Sequence, residues 1–234
     1  MTHVAHPYIQ RIGINRGWRS RWFTTDPKQV REYIRVDAQL RKFLGTRLKG
    51  MSVDAIEIER DQKSVRIIIK TARPGLVIGR SGEGATKLKK EIDMLFRKAK
   101  LIHKPDIKLD IEEVRSSETS AAIVGQMIAE GLEKRMTFRR VMKQTVEKVI
   151  ANRDVQGVRI ILSGRLGGTD MARKEEIKKG RIPLQTLRAD IDFARVTARL
   201  PYGAIGIKVW IYRGDVFADR TAGQTDAPTN LPNR

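Results

Sequence analysis

Hydrophobic positions recur along this chain with two periods, one helical and one extended. Asp26-Pro27 is a helix N-cap followed by proline at the first helical position. From there Val30, Tyr33, Ile34, Leu40, Phe43, Leu44 and Leu48 keep helical spacing to a stop near Gly50. Val53, Ile56 and Ile58 predict a strand, Arg60-Asp61-Gln62-Lys63 a turn, and Val65, Ile67 and Ile69 the returning strand. After a glycine-rich stretch, Leu88, Ile92, Leu95 and Phe96 give a helix from Ala85 to about Arg97 one apolar stripe, with lysines opposite. Ile107, Leu109 and Ile111 form a last strand ending near Val114. The order helix, strand, strand, short helix, glycine loop, helix, strand predicts a two-layer α+β unit of about 90 residues.

The second half starts a new pattern at Ser116-Ser117-Glu118-Thr119. Two helices follow, over roughly 118–135 and 137–152. Val158, Ile160 and Leu162 alternate as a strand that ends in Ser163-Gly164-Arg165-Leu166-Gly167-Gly168. Residues 170–180 have helical propensity but lie between strands, so tertiary context predicts a strand there. Ala189, Ile191 and Phe193, then Ile205, Ile207, Val209 and Ile211, predict two longer antiparallel strands. The expected organisation is an extended arm over 1–25, an α+β unit over 26–116, and a two-layer α/β unit over 117–218 with two helices and about four mostly antiparallel strands. A Gly/Pro/Asn/Thr-rich tail over 219–234 is expected to be disordered.

Charge sharpens this picture. Lys and Arg number 47 against 27 Asp and Glu, a net +20 with a pI near 10.6, so the natural partner is a polyanion. No apolar run of membrane-spanning length and no signal-peptide core is present, so no membrane partner is expected. The absence of cysteine excludes disulfides and thiolate metal sites. Aromatics make up 6% of residues, so phosphate contacts should outnumber stacked bases.

Three stretches carry the candidate chemistry. Gly79-Arg80-Ser81-Gly82 is a Gly-x-x-Gly loop between a strand-like approach and a helix start, with Lys87, Lys89 and Lys90 on that helix. Glycines let the backbone approach another chain, and free N–H groups at a helix start favour phosphate. This is the KH arrangement, which clamps single-stranded nucleic acid by its backbone. In the arm, Arg11, Arg16, Arg19 and Arg21 are interleaved with Trp18, Trp22 and Phe23. That pattern suits RNA, and it equally suits tryptophans capping the adjacent core. On the second helix of the C-terminal unit, helical geometry puts Phe138, Val141, Met142, Thr145 and Val149 on one side. Arg139, Arg140 and Lys143 fall on an adjoining arc, preceded by Lys134 and Arg135. Only Glu147 is near to neutralise them, so the arc reads as a basic ridge for RNA.

Catalytic and cofactor patterns are missing. Gly79 to Thr86 is one residue from a nucleotide-binding loop, but Ala85 stands where lysine must reach the phosphates. His3 and His6 have no further ligand near them, so no metal is expected. His103 is the only histidine in a folded region, which leaves no nucleophile–base pair. Glu112-Glu113 is a carboxylate pair without further catalytic company, and Asp190/Asp192 reads as the outward face of a strand.

Several motifs together resemble one family. Thr71-Ala72-Arg73-Pro74-Gly75-Leu76-Val77-Ile78-Gly79 with Gly82-Glu83-Gly84, Phe138-Arg139-Arg140-Val141-Met142-Lys143, and Ser163 through Gly168 are three of them. Leu187-Arg188-Ala189-Asp190-Ile191-Asp192 and Gly206-Ile207-Lys208-Val209-Trp210-Ile211 are two more. All occur in order in the family of the third protein of the bacterial small-ribosomal-subunit series. The resemblance implies a type II KH domain (α-β-β-α-α-β) followed by an α/β domain in the head of the small subunit. It implies a non-enzymatic, ribosome-bound cytoplasmic protein without cofactor or small-molecule substrate. The implied partners are small-subunit ribosomal RNA, neighbouring head proteins, and mRNA at its entrance. The family's Arg-Arg-x-x-Lys group, which helps passive unwinding of structured mRNA, corresponds to Arg139, Arg140 and Lys143. Arg73, Arg165, Arg173 and Arg188 complete the expected RNA contacts. Two stretches depart from the usual pattern. Pro7 to Gly13 replaces Pro-x-Gly-Phe-Arg-Leu-Gly, and Lys174-Glu175-Glu176-Ile177 replaces Thr-Glu-Trp-Tyr. The competing readings are a free KH regulator or RNA chaperone, and an RNA-processing enzyme anchored by a KH domain, for which no acidic site is present.

Overall fold

The computed structural model describes residues 6–61, 63–98 and 106–217. The tail expected over 219–234, His3 and His103 lie outside the described residues. Two four-stranded sheets, each covered by helices, make up the molecule.

The first sheet holds β1 (Ser20–Arg21), β2 (Val53–Arg60), β3 (Ser64–Thr71) and β4 (Asp106–Glu113) in that order. β2 and β3 form the expected antiparallel hairpin, and β4 returns parallel to β3. Helix α2 (Pro27–Arg47) starts at the expected cap, where the Asp26 carboxylate accepts from the Lys28 N–H at 2.9 Å. α2, the short α3 (Pro74–Ile78) and α4 (Glu83–Lys98) cover the sheet. Leu40, Leu44, Ile58, Ile67, Ile69 and Ile92 are completely buried between these layers. The α-β-β-α-α-β order predicted from periodicity is the order found.

The second sheet is fully antiparallel, in the order β6 (Arg173–Gly180), β5 (Gly157–Gly164), β8 (Gly203–Asp215), β7 (Ala189–Leu200). Tertiary context does override helix propensity at β6, which pairs along its whole length with β5. α5 (Ala121–Glu133) and α6 (Phe138–Ala151) pack on one face over Val158, Ile160, Leu162, Ile207 and Val209. A smaller cluster of Ile161, Ile191, Phe193, Trp210 and Tyr212 fills the other face.

The N-terminal stretch is not the extended arm its glycines suggested. Pro7–Gln10 forms a helical turn, α1, which lies against β7. Arg11 is then fully buried, donating to the carbonyls of Pro7, Leu184, Thr186 and Ala189 at 2.7–3.0 Å. Further along, Ser20–Arg21 adds to β2 as a parallel strand. One segment is thus fastened to both sheets. The sheets also meet directly: the Gln126 side-chain amide donates to the Val53 carbonyl at 2.7 Å, Lys49 pairs with Glu133 at 3.2 Å, and Ser120 bonds Asp54.

Asp192 corrects another expectation. It does not face outward but is 6% exposed, and its carboxylate accepts from the Ala121 N–H at 2.8 Å. It therefore caps the start of α5, where a negative charge suits the helix dipole. Asp190 pairs with Arg16 at 2.6 Å. Both carboxylates are structural.

Candidate nucleic-acid interface

The Gly-x-x-Gly loop joins α3 to α4 through a single tight turn. Gly79 has φ +73° and Gly82 φ +78°, while Ser81 between them is held left-handed at φ +51°. A Cβ on Gly84 would lie 2.6 Å from the Val77 carbonyl oxygen, so the close approach of α3 to α4 requires glycine there. A Cβ on Gly82 meets nothing, leaving its surroundings open to another chain. Arg80 and Ser81 are exposed at the tip, and Arg73 is exposed where α3 begins. Lys87 is exposed one turn into α4 and pairs with Glu83 at 3.5 Å, which reduces its free charge.

The ridge on α6 forms as helical geometry predicted. Val141, Met142, Thr145 and Val149 are buried, Phe138 is half-buried, and Arg139, Arg140 and Lys143 are exposed. Lys134 and Arg135 are exposed in the turn before it, Arg135 with φ +61°. A neighbour invisible to an i,i+4 search reaches this ridge from another element. Glu175 of β6 lies 3.6 Å from Arg139 and 3.8 Å from Arg173. Arg139 and Arg173 also flank the Phe138 ring, at 5.5 and 5.4 Å from its centroid. Arg140 and Lys143 have no carboxylate within ion-pair distance among the described residues. On β6, Lys179 shares the strand face of Arg173, Glu175 and Ile177 and extends the exposed positive surface next to α6, whereas Lys174 and Lys178 lie on the opposite face with Glu176 and Arg159. Sequence reading missed these lysines because the segment was assigned no face.

The other candidates divide into free and engaged groups. Arg11 is withdrawn from the RNA-facing set, since its guanidinium is fully buried and spends four of its five N–H donors on carbonyls within the fold. Its pKa is lowered by burial first and by Arg16 next, with Asp190 opposing. Arg16 is mostly buried in its pair with Asp190. Trp22 caps the first core: its indole N–H donates to Asp37 at 3.0 Å and its ring meets Tyr33 edge-on at 5.4 Å. Trp18 is 66% exposed, so the two tryptophans split between the two uses considered for them. Arg19 is exposed over the Tyr8 ring, and Arg21 is exposed but paired with Glu59 at 3.1 Å. Arg165 holds its own loop together through Thr169 O and Asp170, at 2.9 and 2.8 Å. Arg188 is exposed beside Phe217. Among the described residues no cluster of three or more potential metal-binding side chains forms, and no helix is long and apolar enough to cross a membrane.

Comparison with known proteins finds two family models along the chain. Residues 39–119 match the family model for the KH domain, and residues 128–211 match that for the ribosomal protein S3 C-terminal domain. The small ribosomal subunit protein uS3 of Caldicellulosiruptor bescii is 44% identical over 222 residues, covering 95% of this chain and 96% of its own. This chain belongs to the uS3 family. The uS3 protein of Gluconobacter oxydans is 40% identical with 100% of both chains covered, and that of Coxiella burnetii strain RSA 331 is 41% identical over 97% of this chain. Within the uS3 frame, the departure at Lys174 to Ile177 falls on edge strand β6, beside the ridge. The departure at Pro7 to Gly13 falls on the turn that seats Arg11.

Proposed function

We propose that this chain is a structural, non-enzymatic constituent of the small ribosomal subunit head, bound to ribosomal RNA and to neighbouring head proteins. In this reading Arg139, Arg140 and Lys143 face mRNA at its entrance and hold separated strands by their phosphates. The ribosome supplies the work, so no nucleotide site is needed. The observation that carries it is the placement of the cations on α6. Arg139 and Arg140 stand in the helix's first turn, where the dipole disfavours positive charge, and nothing acidic precedes them there. Glu175 of β6 offsets Arg139 in part, but Arg140 has no carboxylate within ion-pair distance among the described residues, and positive charge left uncompensated at a helix start supports an outward, anionic partner.

The test crosslinks mRNA to small subunits that contain this protein and maps the contacted residues. Crosslinks at the α6 ridge, downstream of the decoding position, are expected. Crosslinks to ribosomal RNA alone would leave the structural role and remove the mRNA role. Failure of the chain to co-sediment with small subunits through a high-salt wash would overturn both.

A further inference from the structure

The two sheets leave a cleft of about 960 Å³ between them. β2 and the end of α2 form one wall, with Leu48, Val53 and Ile56. β7 from Phe193 to Thr197 forms the other, and Gln126 and Glu130 of α5 lie along it. β7 is the edge of its sheet. In its hairpin with β8, Leu200 stands opposite Gly203 across the two-residue turn Pro201-Tyr202. Even-numbered residues of β7 therefore hold the hydrogen bonds to β8, and odd-numbered residues turn their N–H and C=O groups outward. Two outward N–H groups are already capped by carboxylates. That of Phe193 donates to Asp192 at 3.1 Å, and that of Arg199 to Glu133 at 3.3 Å. Between these stops, the N–H and C=O groups of Arg195 and Thr197 have no hydrogen-bond partner among the described residues.

We propose that this cleft binds an extended polypeptide segment of another protein, which adds to β7 as a fifth strand and sets an acidic side chain beside Arg195. An open edge presents alternating donors and acceptors, and only another strand satisfies both kinds in register. Charge selects the side chain. Arg19 and Arg195 both reach the cleft, and their described contacts are aromatic faces, Tyr8 at 4.8 Å and Phe193 at 5.4 Å. Among the described residues, Arg41 between the walls donates only to Ile56 O, Arg19 O and Ser20 Oγ. RNA fits less well. Its phosphates only accept and cannot pair the two outward carbonyls, its 2′-hydroxyl and base donors do not recur at the spacing of a strand, and Asp54 and Glu130 line the same cleft. The Gln126 Oε1 atom is buried there without a donor among the described residues, a position a peptide N–H can fill.

The inference does not depend on ribosomal membership, and its test uses the free full-length chain. Amide hydrogen exchange at Arg195 and Thr197 is followed by NMR with millimolar acetyl-Val-Glu-Val-Thr-Val-amide, the same peptide with Lys for Glu, or hexauridylate. The Glu peptide is expected to slow exchange at both amides by at least about ten-fold, and the Lys peptide by less than about two-fold. Thr197→Pro removes one donor at an edge position where proline is tolerated, and should abolish the response at Arg195. Arg195→Glu should reverse the peptide preference even if the proline variant misfolds. No slowing by either peptide, equal slowing by both, or stronger slowing by hexauridylate would overturn the proposal.

Discussion

At the scale of single residues, the unexpected one is Arg11. Among the described residues its guanidinium has no carboxylate partner at bonding distance; carbonyl oxygens of α1, of the loop before β7 and of Ala189 at its start take its place. Arg11→Ala strands those carbonyls away from water, at about 1–3 kcal/mol for each that finds no substitute. A total loss of about 3–5 kcal/mol is expected in urea unfolding, with Arg11→Lys recovering only part because an ammonium cannot reproduce the planar fork. A loss below about 1 kcal/mol would mean the site relaxes open to solvent. Glu176 offers a pH test at the same scale. A hydrogen bond from Arg159 lowers its pKa below the usual 4.5, against a smaller desolvation effect that raises it. A carboxyl depressed in the folded state stabilises fully above its unfolded value and loses that contribution as pH falls through the folded value. The difference in melting temperature between the native chain and Glu176→Gln should therefore be visible at pH 7 and fade as pH falls below the ordinary 4.5 and through the lowered folded value. The pair is partly exposed, so the difference will be small.

At the scale of elements, α6 and β6 act as a pair. The periodicity of α6 alone was enough to place Arg139, Arg140 and Lys143 on one arc, because helical geometry is local. It could not show Glu175, which arrives from a strand 36 positions beyond Arg139 and neutralises part of the ridge. Asp192 and Arg11 were misread for the same reason. Strand alternation assigns a face but not what covers it, and both faces of β7 are covered, one by α5 and the other beneath α1. The neutralising role of Glu175 can be measured. Glu175→Gln frees Arg139 and Arg173 together, and an exposed pair is worth about 0–1 kcal/mol. Affinity for a short single-stranded RNA should rise by up to about five-fold, and its log–log salt slope should steepen by about one. Glu176→Gln, which frees Arg159 on the neighbouring position, is the control expected to change affinity less. Equal gains from both would make the effect one of net charge and not of the ridge.

At the scale of the whole molecule, the sequence yielded both units and missed what joins them. Each unit could be read from its own periodicity, since its core residues lie within it. The joints use Gln126, Lys49, Ser120 and Arg11, polar residues whose partners lie from 66 to 178 positions away. No local pattern encodes such a distance. These joints predict that the two units unfold together in the native chain. Two tryptophans report on them separately: Trp22 is bonded to Asp37 in the first core, and Trp210 is buried in the second. In a Trp18→Phe background, variants that keep only Trp22 or only Trp210 should give coincident urea midpoints. Adding Arg11→Ala and Gln126→Ala removes the buried anchor of the strap and one direct bond between the sheets. The midpoints should then separate, with Trp22 changing first because the KH unit has the smaller core. Coincident midpoints in that variant would mean that the remaining Lys49–Glu133 and Ser120–Asp54 contacts suffice to couple the units. The strap formed by Arg11 and β1 would then fix their orientation without contributing to their common stability.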